Sequence, residues 1–152
     1  MLQKLIFTVL VAVVLASSVT VAEPAIRLEG AWVRALPPTQ QMTAGYASVV
    51  NESDKAETIV GASTSVSTKT EIHTSREVDG YMRMEQLKTL SLPAGGRVEL
   101  APGGIHLMLM GMAEMPASGS TVYLCLILES AREVCADAIV QRAPEATEHS
   151  HH

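Results

Sequence analysis

The sequence has 152 residues, is 18% charged and only 3% aromatic, and carries a formal net charge of −5 at pH 7. That length suits one domain, and an acidic chain without clustered Lys and Arg is excluded as a nucleic-acid binder, because phosphate contacts need such clusters. Its two cysteines are too few to frame a disulfide miniprotein, and the chain is long enough to bury a core without them.

The chain opens with "MLQKLIFTVLVAVVLASSVTVA", a cation at Lys4 followed by an apolar run from Leu5 to Ala16 and by small residues at Thr20 and Ala22. This is the layout of a secretory signal peptide over residues 1–22. A membrane anchor is the alternative, but the run is short of the roughly 20 residues a span needs. No cysteine follows the run, so a lipid-modified start is not expected. Cleavage after Ala22 leaves a mature chain from Glu23 that needs no membrane. It loses one lysine and no acid, which takes the net charge from −5 to −6. The only Phe, Phe7, goes with the leader, so the mature core is built from Val, Leu, Ile, Met and Ala with Trp32 and three tyrosines.

Turn signals then recur at short spacing: Pro37-Pro38, Asn51 to Asp54, Asp79-Gly80, Pro93 to Gly96, Pro102 to Gly104 and Ser118-Gly119. Between them lie "GYASVVN", "AETIVGAS", "TKTEIHT", "YMRMEQL", "RVELA", "IHLMLM", "TVYLCLIL" and "EVCADAIV". Short strands at near-regular spacing predict an antiparallel sandwich or barrel over residues 23–142, with little helix. Residues 143–152 are polar and end "EHSHH", which reads as a disordered tail.

Two stretches carry chemistry. In "EIHTSREVDGYMRMEQ", a two-residue turn at Asp79-Gly80 pairs Val78 with Tyr81, Ser75 with Met84 and His73 with Gln86. His73 and Met84 then share a face as diagonal neighbours. In "IHLMLMGM", strand alternation puts His106, Met108 and Met110 on one face and Leu107 and Leu109 on the other. Imidazole with thioether is a soft donor set that selects Cu(I), whereas zinc prefers thiolate or more imidazole and calcium and magnesium want oxygens. The bland alternative is packing: methionine fills gaps in cores, and Met82, Met110, Met112 and Met115 read as packing or rim residues. His149, His151 and His152 form a second imidazole group, suited to Cu(II), in the tail. Cys125 and Cys135 flank a turn near Ser130 symmetrically, so they are either a cross-strand disulfide or two buried thiols. No nucleophile–base pairing, Gly-rich phosphate loop or suggestive carboxylate pair is visible, which points away from an enzyme.

The spacing from His73 to Met84 to His106 to Met108, H-x10-M-x21-H-x-M, resembles the signature of the periplasmic copper chaperones called PCuAC. "AWVRALPP", "TAGYASVVN", "DGYMRM", "LPAGGRVELAPGGIHLMLMG" and "TVYLCLILES" are similar to the family's usual segments, from about Ala31 to Val140. The resemblance implies an all-β, cupredoxin-like antiparallel Greek-key β-sandwich. It implies a monomer that binds one Cu(I) at an exposed site through His73, Met84, His106 and Met108. It also implies delivery in the periplasm to a respiratory cytochrome c oxidase subunit, for its Cu(A) centre, or to another copper chaperone. Thr74-Ser75 departs from relatives that carry a Met or an acid soon after the first histidine. The rival readings are copper storage or resistance, electron transfer by a cupredoxin, and a non-metal structural sandwich; electron transfer would require a thiolate with two histidines.

Overall fold

The computed structural model describes residues 25–143. The expected signal peptide, and the tail with His149, His151 and His152, lie outside the described residues except for Ala143. Ten strands run in chain order: β1 (Ile26–Arg34), β2 (Met42–Asn51), β3 (Glu57–Thr64), β4 (Lys69–Val78), β5 (Tyr81–Gln86), β6 (Leu90–Leu92), β7 (Arg97–Leu100), β8 (Ile105–Met110), β9 (Thr121–Leu128) and β10 (Glu133–Gln141). Among the described residues there is no helix. Eight of these strands coincide with the apolar runs of the sequence; β1 and β6 do not.

The strands form one sheet in the order β5-β4-β8-β2-β1-β10-β9-β3-β6, with β7 also paired to β2. The sheet folds over on itself, so that β3 packs near β4 although the two are not ladder partners. The result is the expected all-β, cupredoxin-like sandwich. One pairing departs from the antiparallel expectation: β1 and β10 run parallel, Trp32 opposite Ile139. A parallel pair needs a long crossover, and here the whole intervening domain supplies it, which brings the two terminal strands side by side.

Ile72, Leu107, Leu109, Leu124, Leu126, Leu128, Val33, Val49 and Val140 form the core. Each contributes about 1.5–3 kcal/mol relative to an exposed position. Along β8 the alternation is strict: Leu107 and Leu109 point into this core while His106, Met108 and Met110 take the other face. In β1 the alternation breaks. Ile26 and Leu28 are buried, then Ala31 and Val33, because the register with β2 shifts between Glu29 and Trp32. Gly30 sits at that bulge with φ 58°, a left-handed conformation that glycine adopts without penalty. The bulge turns Trp32 and Arg34 away from the core and onto the face that carries His106.

Cys125 and Cys135 are directly paired across β9 and β10 and form a disulfide. The turn between them holds Ala131 at φ 64°, its N–H donating to the Leu128 carbonyl at 2.8 Å.

Candidate metal centre

The hairpin of β4 and β5 has the register read from the sequence: Val78 opposite Tyr81, Ser75 opposite Met84, His73 opposite Gln86. Its turn is Asp79-Gly80, with φ 53° and 78°. Two successive positive φ values define the mirror-image turn whose twist matches that of the strands. On its other side β4 pairs with β8 so that His73 lies directly opposite His106, and Glu71 opposite Met108. Strand β2 continues the row, with Ala44 opposite Met108.

The four residues singled out by their spacing are therefore brought onto one face of three adjacent strands. The two imidazole rings lie 6.0 Å apart, tilted by 55°, a separation that one ion with nitrogen bonds of about 2 Å spans. His106 is 4% exposed and Met84 54%. Met84, Met108 and His106 line one cleft of about 250 Å³, together with Arg34, Leu36, Met42, Thr43, Ala44, Tyr46, Ser75 and Gly103. The site thus grades from a buried imidazole to an exposed thioether.

Hydrogen bonds set the donors. His106 Nδ1 lies 3.0 Å from the Gly104 carbonyl oxygen. A carbonyl only accepts, so Nδ1 carries the proton and the lone pair falls on Nε2. His73 Nε2 lies 2.8 Å from a Glu71 carboxylate oxygen. The same logic puts the proton on Nε2 and leaves Nδ1 with a lone pair. That Nδ1 is buried and has no hydrogen-bond partner. A buried acceptor left unmet costs about 1–3 kcal/mol, so this nitrogen is chemically incomplete without an acid of some kind, a proton donor or a metal. Each ring is thus oriented by a partner on its far nitrogen, the arrangement that raises the basicity of metal-binding histidines. Glu71 is itself held below the usual carboxylate range, first by the Lys69 ammonium at 2.5 Å and then by His73.

Spacing alone did not reveal the rest of the face. Tyr46 stacks against Trp32 at 4.4 Å between centroids and lies 6.5 Å from the His106 ring. The Arg34 guanidinium carbon stands 5.5 Å from the Tyr46 centroid. Burial pushes the Tyr46 hydroxyl up, so it is neutral at physiological pH. Trp32, Tyr46, His106 and His73 thus form one aromatic row across four strands, in which Tyr46 and Trp32 extend the line of the two imidazoles. Glu71 was findable, because it stands two residues before His73 on the same strand. Met112 and Met115 are buried packing residues, as expected, while Met82 is exposed at 63%. Among the described residues Cys125, Cys135 and Glu133 also converge, but the two sulfurs are bonded to each other and offer no thiolate. A larger cleft of about 550 Å³, lined in part by Pro37, Pro38, Met115 and Arg142, contains none of the four donors.

The family model described as "Putative lipoprotein LpqE-like" matches residues 26–140. A protein of Leifsonia xyli subsp. xyli named "Putative lipoprotein Lxx21020" is 32% identical over 102 residues, covering 66% of this chain and 60% of that protein. The chain thus spans about 60% of the length of the curated relative it matches. Among solved structures, CuI-DR1885 from Deinococcus radiodurans is 31% identical, with a TM-score of 0.64 over 84% of this chain and 85% of that one. The copper-bound PCuAC domain from PmoF2 is 26% identical, with a TM-score of 0.64 over 80% of this chain and 97% of that one. The resemblance to PCuAC domains read from the sequence is borne out by these likenesses.

Proposed function

We propose a function on one premise: the chain belongs to the LpqE-like family, and its sandwich is of the PCuAC type. On that premise the protein is a copper chaperone, a carrier and not a catalyst. One Cu(I) per chain is its cargo, held by His73 Nδ1, His106 Nε2 and the thioether sulfurs of Met84 and Met108.

The observation that carries this reading is the pair of imidazole lone pairs left open on one face beside two thioethers, one of them on a buried nitrogen with no partner. Thioether and neutral imidazole together favour Cu(I). Neither thioether has a proton to lose, and neither is consumed by disulfide formation where cysteines are oxidised. The disulfide supports the carrier over an electron-transfer cupredoxin. An electron-transfer copper site needs a thiolate, and both cysteines are committed to each other on β9 and β10. In strand order β2 and β1 stand between those strands and β8.

The exposure gradient suits transfer. Met84 stands at the solvent edge, so an acceptor's ligand can approach copper while the buried His106 still holds it. Transfer then runs by successive ligand replacement, without free copper. The signal-like residues 1–22 and the lipoprotein names of the relatives support export to the periplasm. Domain bounds of 23–142 go with that reading. The acceptor is a respiratory oxidase subunit at its Cu(A) centre, or a chaperone that serves it. His149, His151 and His152 are read as a Cu(II) position against the alternative of a plain solvated tail, and unchanged Cu(II) binding after truncation at Glu145 would favour the plain tail.

Anaerobic Cu(I) titration of the mature chain against a competing chelator tests the cargo, with X-ray absorption to identify donors. One equivalent with sulfur and nitrogen around copper is expected; nitrogen and oxygen alone would sink the assignment. For delivery, a deletion strain under copper limitation should lose oxidase activity. A copy lacking Met84 and His106 should fail to restore it, and full restoration by that copy would remove copper carriage as the protein's contribution.

A further inference from the structure

The sequence holds eight methionines, of which Met1 lies outside the described residues and Met82 is exposed on the edge strand β5. Met112 and Met115 serve the core, and Met84 and Met108 belong to the centre above. Met42 and Met110 are left beside that centre without a role. They stand directly opposite each other across β2 and β8, and the next pair on the same face, two residues along the ladder, is Ala44 with Met108. Residues in register share a face, and diagonal neighbours lie within reach of long side chains. Met42, Met108 and Met110 therefore occupy one patch of three thioethers, continuous with the four-residue centre through Met108.

Three features set this patch apart from ordinary packing. Met42 is 52% exposed, so it fills no core gap. It lines the same cleft as Met84, His106 and Met108. Ala44, the residue between Met42 and Tyr46 on this face, is small and leaves the floor between the thioethers low. Of the nearby charges, Lys69, opposite Met110, is paired with Glu71, while the Arg34 guanidinium lies over Tyr46 and lines the same cleft as a cation.

We infer that Met42, Met108 and Met110 form a second soft-metal position, an all-thioether port through which Cu(I) enters or leaves the centre. The inference rests on the copper-carriage reading. Thioethers favour Cu(I) and its analogue Ag(I), and three neutral ligands take up or release the ion without gaining or losing a proton. The port is weaker than the centre because it lacks imidazole. The ion moves by exchange: Met108 keeps it while His106 and His73 replace Met42 and Met110. Copper stays Cu(I) throughout, and only coordination bonds form and break. When both positions are filled, Met108 stays with the centre and Met42 and Met110 hold the second ion.

The test uses the mature chain with methyl-labelled methionines, titrated with Ag(I) and, anaerobically, with Cu(I). The first equivalent should shift Met84 and Met108, and a second, weaker for want of imidazole, should shift Met42 and Met110. In the double variant Met42→Leu, Met110→Leu the first equivalent should bind as in the parent. The second should be lost, and Cu(I) release to a chelator should slow several-fold. The inference is overturned if the Met42 and Met110 methyls stay still at two equivalents, or if the double variant takes up the second ion and releases copper as the parent does. A parent chain in which the first equivalent leaves Met84 unmoved but shifts Met42 and Met110 would sink the four-residue centre and leave the thioether position standing.

Discussion

Two hairpins of this sandwich share a design and differ in everything that anchors them. The β9–β10 hairpin is clamped by the Cys125–Cys135 disulfide and buries Leu124, Leu126, Leu128, Ala138 and Val140. The β4–β5 hairpin has no covalent clamp, and all six residues of β5 are exposed. What holds β5 is its ladder with β4, the tight Asp79-Gly80 turn, and the Arg76–Glu85 ion pair on the face opposite Met84. The weakly anchored hairpin carries the proposed ligand Met84; the strongly anchored one carries none. Segments with few buried contacts open at low free-energy cost, and a donor that must swing aside during transfer belongs on such a segment. The buried end of the centre, His106, stands on β8, where Leu107 and Leu109 fix the backbone.

The contrast is broken most directly by methionines on its two sides. Met108→Ala should lower Cu(I) affinity by roughly a hundredfold or more, since even partners one step removed from a metal are worth 10–100-fold, with a small change in folding stability. Met115→Ala should do the reverse. It empties a 6%-exposed core position and should cost about 2–5 kcal/mol of stability with copper affinity intact. Chelator competition and urea denaturation on the same two variants read both quantities. Equal copper loss in both variants would erase the distinction between site and core.

The clamp comes next. Replacing Cys125 and Cys135 by Ala removes a link of sequence separation 10, a loop whose closure contributes about 2–3 kcal/mol. The denaturation midpoint should fall accordingly, and Cu(I) affinity should stay within twofold or so, because β9 and β10 hold no donor of the centre. A parallel loss of copper would mean that the two halves of the sandwich are coupled.

Much of this contrast is legible in the sequence, and the illegible parts have physical reasons. Asp79-Gly80 sets the β4–β5 register because two positive φ values admit few residue pairs, so the His73 and Met84 positions follow from counting. The β9–β10 pairing follows in the same way from the symmetric cysteines. Strand β1 escaped because the bulge at Gly30 breaks its alternation: Ile26 and Leu28 face inward on one parity, Ala31 and Val33 on the other. A period-2 pattern cannot cross that break, and with it went Trp32 and Arg34 as members of the site face. Strand β6 is three residues long, too short to show any period. Met42 escaped because β2 starts three residues before the apolar run that marks it, and because its relation to Met110 is a cross-strand fact between residues 68 positions apart. The direct opposition of His73 and His106 also depends on strand order, which no local pattern encodes.

Within the site, Glu71 tests how the lightly held hairpin keeps its histidine ready. Glu71→Gln leaves a group of the same size but takes away the negative charge facing His73 Nε2. Loss of such a partner should weaken Cu(I) binding by roughly tenfold, while folding stability hardly moves. Glu71→Ala should weaken binding at least as much, and an unchanged affinity in both variants would show that His73 is oriented by packing alone.

The smallest effect concerns the Arg76–Glu85 pair. The guanidinium donates to both carboxylate oxygens, at 2.6 and 3.2 Å, and holds the Glu85 carboxyl below its usual range. A carboxyl depressed in the folded state stabilises that state above its unfolded value, about pH 4.3, and the contribution is lost as pH falls through the lower folded value. Both groups are exposed, so solvent screening keeps the effect local. Between pH 7 and pH 4.3 the pair should protect β5 fully. Below that, amide exchange in β5, corrected for its intrinsic pH dependence, should accelerate while protection in β9 and β10 stays level. Glu85→Gln should reduce the pH dependence, leaving the part that Glu71 on β4 supplies, without moving the global denaturation midpoint at neutral pH. If protection in β5 and in β10 declines together as the solution is acidified, the two hairpins open as one unit, and the lightly tethered donor is no longer the reason for their difference.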